Sequence, residues 1–76
     1  MKLIKNYEKE PEQFDSSMLK IGQMMECNAK NYEGLILFRT ADKIISLSNP
    51  PIEWFITANL TGRLLKPGES VTLIQE

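Results

Sequence analysis

The chain has 76 residues, 42% hydrophobic and 25% charged, with nine Lys and Arg against ten Asp and Glu for a net charge of −1. That is one small domain, near the size at which a single core only just outweighs chain entropy, so wholesale disorder and a large carved cleft are both disfavoured. No histidine is present, which removes the commonest general base and metal ligand, and the balanced charge argues against sequence-independent nucleic-acid binding.

Residues 1–8 alternate loosely, Leu3 and Tyr7 on one side and Ile4 on the other, and predict a short edge strand. The segment from Glu8 to Ser17 is polar, acidic and broken by Pro11. It reads as a mobile connection or a single helical turn, with Phe14 as its one anchor to a core. Residues 1–17 are therefore expected to form a weakly ordered arm carrying an edge strand, and residues 18–76 a small β domain.

Met18 to Ala29 admits two readings. With period two, Leu19, Ile21, Met25, Cys27 and Ala29 face one way, and Lys20, Gly22, Glu26 and Asn28 the other. With period 3.6, Met18, Ile21, Met25 and Asn28 share a helical face behind a Ser17 N-cap. Gly22 inside a helix would cost about 1 kcal/mol, and the extended reading is preferred. Residues 28–31 then turn the chain into its central feature, Tyr32 to Ser48. The apolar runs Leu35–Phe38 and Ile44–Leu47, separated by Thr40, Ala41, Asp42 and Lys43, predict a β-hairpin.

Asn49-Pro50-Pro51 is a hard break. In Ile52–Thr61 the residues Ile52, Trp54, Ile56, Ala58 and Leu60 alternate with residues that are polar except for Phe55. A helix over 50–61 could start on an Asn49 cap with Pro50 as its first residue, but the run Trp54 to Thr57 favours a strand. Arg63–Leu65 and Ser70–Ile74 flank Lys66-Pro67-Gly68-Glu69, a type II turn signature that predicts a second hairpin. The expected fold is mainly β, a small single-domain barrel or compact sandwich of five to six short antiparallel strands. The alternative is α+β, with a helix at 18–29 or 50–61.

Chemistry-bearing patterns are sparse. Cys27 has no histidine to deprotonate it and reads as a buried structural thiol. Ser17-Met18-Leu19-Lys20 has the S-x-x-K spacing but lacks every companion element of that catalytic set. Glu8, Glu10 and Glu12 read as a solvated charged face, and the four glycines stand singly, with no phosphate loop. Neither a metal nor a cofactor is expected, and no enzymatic activity. A lone cysteine and an opening without an apolar leader lead to the expectation of a cytoplasmic protein, with no membrane span.

The one local concentration of binding-type residues is Pro50, Pro51, Trp54 and Phe55. Strand alternation sends the two rings to opposite faces, so that one of them is left poorly covered, as interface anchors are. The competing reading places Trp54 in the core and Phe55 in a satellite cluster with Phe14 or Tyr7. The expected function is binding to another protein, or to a second copy, through this aromatic and proline surface. The alternative is a small barrel that binds single-stranded nucleic acid through Tyr32, Phe38, Arg39 and Lys43 around the central hairpin.

Overall fold

The computed structural model describes residues 2–8 and 13–75. Among them eight strands form: β1 (Lys2–Asn6), β2 (Phe14–Asp15), β3 (Met24–Cys27), β4 (Ile36–Arg39), β5 (Lys43–Ser46), β6 (Glu53–Phe55), β7 (Thr61–Leu64) and β8 (Ser70–Ile74). A single turn of 3₁₀ helix, Ser16–Met18, follows β2. The fold is mainly β, as the sequence implies, and neither helix alternative forms. An antiparallel six-stranded sheet in the order β2-β7-β3-β4-β5-β6 curls into a half-barrel, and β1 and β8 form a separate two-stranded sheet. The mobile-linker expectation for 8–17 falls in part on residues 9–12, which lie outside the described residues.

The central hairpin is the pair β4 and β5. Its turn closes with the Thr40 N–H donating to the Lys43 carbonyl at 2.8 Å, while the Thr40 hydroxyl accepts from the Lys43 N–H at 3.2 Å. Paired residues of an antiparallel sheet share a face, and successive residues alternate. Leu64, Met25, Leu37 and Ser46 therefore form one row on the inner face, and Arg39, Ile44 and Trp54 form the next. Met25, Leu37 and Ile44 are wholly buried there with Leu19 and Cys27, and Phe14, Tyr32, Leu35, Leu60 and Leu64 pack around them. Burying each such aliphatic side chain is worth about 1.5–3 kcal/mol.

The extended reading of 18–29 holds only over β3. Lys20 to Gln23 form a turn, with the Gln23 N–H donating to the Lys20 carbonyl at 2.9 Å. Ile21, expected in the core, sits on that turn and is exposed. The strand expected over 52–61 is likewise cut short: the Ala58 N–H donates to the Phe55 carbonyl at 3.0 Å, closing a turn that leaves Ile56 outside. Ser16, fully buried, holds the far side of this turn. Its hydroxyl donates to the Ala58 carbonyl at 2.6 Å and accepts from the Leu60 N–H at 2.9 Å.

The second hairpin does not form as expected. Its turn does: Gly68 takes a φ of 89°, and the Glu69 N–H donates to the Lys66 carbonyl at 3.0 Å. The flanking strands nevertheless part company, β7 pairing with β2 and β3 in the half-barrel and β8 with β1. Local turn chemistry fixes a reversal of direction, whereas strand partners are chosen by long-range packing. Glycine at position 62 lets β7 approach β3, because a Cβ there would run into the Glu26 carbonyl oxygen.

Between the two sheets lies a charged layer. Glu26 and Arg63, 8% and 3% exposed, stand at opposite register positions of β3 and β7 on the outer face of the half-barrel. Buried charges are tolerated only when paired. Lys5 of β1 donates to the Glu26 carboxylate at 2.6 Å, and Arg63 holds Glu69 through two bonds of 2.9 and 2.6 Å. The Arg63 guanidinium also lies 4.9 Å from the centre of the Tyr7 ring, and burial together with the Glu26 carboxylate pushes the Tyr7 phenol well above its ordinary range. These contacts seat β1 and β8 on the half-barrel.

Candidate protein-interaction site

β6 is an edge of the half-barrel, and the loop leading into it is fixed by serines. Ser46, 1% exposed, donates its N–H to the Ile52 carbonyl at 2.8 Å, and its hydroxyl accepts from the Ile52 N–H at 2.7 Å. The Ser46 and Ser48 hydroxyls are 2.6 Å apart, and Ser48 donates to the Pro50 carbonyl at 3.1 Å. These bonds clasp the chain on both sides of the two prolines, and Pro50 and Pro51 both stand exposed, the Asn49–Pro50 bond being cis.

Bonding between Ser46 and Ile52 sets the pattern along the rest of the strand. Hydrogen-bonded and non-bonded pairs alternate in an antiparallel ladder. With Ser46 opposite Ile52 bonded, Ile45 opposite Glu53 and Lys43 opposite Phe55 are the non-bonded pairs. The backbone groups of Glu53 and Phe55 therefore point away from β5, toward the open edge. Of these, the Phe55 carbonyl is engaged by Ala58.

Side chains divide over the two faces. Trp54 lies inward, half-buried against the core and edge-on to Tyr32. Phe55 lies outward and is 85% exposed, so the satellite cluster with Phe14 or Tyr7 does not exist. Phe14 instead packs on the core from β2, at the opposite edge of the sheet, and Tyr7 lies against Arg63. An open groove of about 540 Å³ wraps the β6 edge, lined by Asp42, Lys43, Glu53, Trp54, Phe55 and the turn at Thr57 and Ala58. Lys43 and Glu53 pair across its rim at 3.0 Å, and this bond raises the Lys43 ammonium above its ordinary range. Both are exposed, so the pair orients charge more than it stabilises.

The residues considered for nucleic acid do not share a surface. Phe38 and Lys43 lie on the outer face. Arg39 lies on the inner face in the row of Ile44 and Trp54, its Nε buried and without a hydrogen-bond partner among the described residues, and Tyr32 is held against Trp54. Cys27 is buried and free, and burial pushes its thiol up. Among the described residues no group of three or more Cys, Asp or Glu is placed to hold a metal ion, and no helix is long and apolar enough to cross a membrane.

Sequence reasoning did not single out Ser46 or Ser16, whose hydroxyls position the two ends of the β6 segment. A serine placed among apolar strand residues, as in Ile44-Ile45-Ser46-Leu47, is the one available signal. Comparison with known protein families, with curated proteins and with solved structures finds no match for this chain in any of the three.

Proposed function

We propose that this chain is a non-enzymatic interaction module that binds another protein, or a further copy of itself, through the surface formed by Pro50, Pro51, Trp54 and Phe55. The observation that carries this reading is Phe55, a large ring 85% exposed on an edge strand. Leaving such a ring in water forgoes the burial that a small core most needs, and exposed aromatics beside rigid prolines are suited to anchor a partner.

The ligand that fits best is an extended polypeptide segment. Strand addition draws affinity from main-chain bonds and selectivity from pockets for alternate side chains. Here the Glu53 N–H and carbonyl and the Phe55 N–H supply the bonds, and the groove between Trp54 and Phe55 receives an apolar side chain. Asp42, Lys43 and Glu53 at the rim favour a segment carrying both signs of charge. The single buried thiol suits a reducing compartment, and we place the protein in the cytoplasm.

Selection of a displayed library of linear peptides against the immobilised chain tests this. Enriched peptides should share an apolar residue in an extended context and lose at least tenfold in affinity against Phe55→Ser, about 1.4 kcal/mol. Enrichment indifferent to Phe55→Ser would refute the site, and no enrichment would refute the function.

A further inference from the structure

The molecule has another open edge, and its composition sets it apart. Ser70-Val71-Thr72-Leu73-Ile74 contains neither a charged residue nor a proline, whereas β1 carries Lys2 and Lys5, and β6 carries Glu53. Charged side chains and proline are the devices by which free edges avoid pairing with another chain. β8 pairs with β1 alone among the described residues, and a two-stranded sheet is marginal by itself. Leu73 is 53% exposed.

We propose that β8 is a self-association edge, which pairs antiparallel with β8 of a second copy about a two-fold axis at Thr72. A two-fold contact requires a surface complementary to itself, and this strand meets the requirement. With the axis at Thr72, Val71 of each copy lies opposite Leu73 of the other, and Ser70 lies opposite Ile74. In each copy β1 already sets Leu3 opposite Leu73, Lys5 opposite Val71 and Ile4 opposite Thr72. Rows across the four strands then read Leu3, Leu73, Val71, Lys5 and Ile4, Thr72, Thr72, Ile4.

Charge and polarity are consistent with that register. Apolar and threonine–threonine cross-strand pairs are favourable, and like charges directly opposite are not. Here both pair types occur at the contact, and the lysines stay on the outer strands. Moving the axis one residue along would set Val71 against Gln75 in place of Leu73 and so lose an apolar pair. The contact covers Leu73 and turns two marginal two-stranded sheets into one of four strands. Five residues of strand bury less than a standard interface, so association is weak and concentration-dependent.

The pairing stands apart from peptide binding at β6, and different variants separate the two. Thr72 is exposed, its hydroxyl accepting from Asn6 Nδ2 at 2.9 Å, so substitution there spares the core. In sedimentation velocity on the whole chain from micromolar to millimolar concentration, the weight-average coefficient should rise. Thr72→Lys and Thr72→Glu should each stay monomeric over that range, with unchanged circular dichroism, and their equimolar mixture should associate again. A wild-type chain monomeric throughout would overturn the proposal, and so would association that survives in Thr72→Lys. Association lost in Phe55→Ser but kept in the Thr72 variants would move the contact to β6 and overturn it equally.

Discussion

Tyr32 and Trp54 meet edge to face, their ring centroids 5.3 Å apart and their planes at 89°. The contact ties the loop between β3 and β4 to the edge strand β6, and it gives neighbouring aromatics opposite roles. Trp54 packs on the core, and Phe55, on the opposite face, is 85% exposed.

The division can be measured as stability. Trp54→Ala removes a ring packed on the core and should cost about 3 kcal/mol, the low end for truncating a large aromatic. Phe55→Ser removes an exposed one and should stay within about 0.5 kcal/mol. Urea unfolding followed by circular dichroism checks both. A loss above 1.5 kcal/mol for Phe55→Ser would mean that the ring is buried in solution.

Ser16→Ala should destabilise by about 1–3 kcal/mol, because it leaves the Ala58 carbonyl and the Leu60 N–H without their buried partner. The same variant should speed hydrogen exchange at Leu60 before the amides of β7. Uniform acceleration across the sheet would show that the hydroxyl acts globally.

Two glycines should respond differently to alanine. At Gly62 the new methyl meets backbone, so Gly62→Ala should break the pairing of β7 with β3 and prevent folding. At Gly68 nothing lies nearby, and only the positive φ is strained, at about 1–2 kcal/mol. Far-ultraviolet spectra of the two purified variants decide the matter.

Acid should loosen the seat of the two-stranded sheet. Bonds from the Arg63 guanidinium, and then from the Lys66 N–H, bring the Glu69 carboxyl down from the ordinary 4.5 to about 2. On acidification the unfolded chain takes up this proton first, so the stabilisation is complete above the ordinary value and is lost as pH falls toward 2. Asp15, lowered chiefly by its bond from the Ser17 hydroxyl, acts in the same sense. The urea midpoint should therefore fall between about pH 5 and pH 2, and fall less in Glu69→Gln. Equal slopes would remove Glu69 from the account. Lys5, Tyr7, Glu26, Arg63 and Lys66 share its surroundings and should be kept intact in the comparison.

Cys27 should be nearly inert toward a thiol-specific disulfide reagent at pH 8 in the native protein. It is 1% exposed, and burial pushes its thiol up, offset only in part by a backbone bond at Ala29. Labelling should track unfolding across a urea series. Fast labelling without urea would show that β3 opens locally.

What could be read from the sequence was mostly local. The alternation and turn chemistry of Tyr32–Ser48 carried the central hairpin, and Pro67-Gly68 carried its turn, because both are settled within a few residues. Partner choice was not legible: nothing in Ser70–Ile74 says that it abandons β7 for a strand near the other end of the sequence. Glu26 was assigned to a polar face and does lie there, but it is buried because Lys5 of β1 donates to its carboxylate and Tyr7, just beyond that strand, lies beside it. At β6 the alternation correctly separated Trp54 from Phe55. It failed beyond Phe55, where bonds to Ser16 from a distant segment turn the chain.

The pairing of β1 with β8 also bears on the order in which the molecule assembles. Asn6 and Ser70, bonded through their side chains, are 64 positions apart in sequence. Closing so long a loop is entropically slow, and such contacts gain only once the intervening chain is compact. During synthesis Lys2–Asn6 cannot pair with β8 until Ser70–Ile74 has emerged. Pulsed hydrogen labelling during refolding should find those amides of β1 that bond to β8 protected after the ladder amides of β4 and β5, so that this strand docks late.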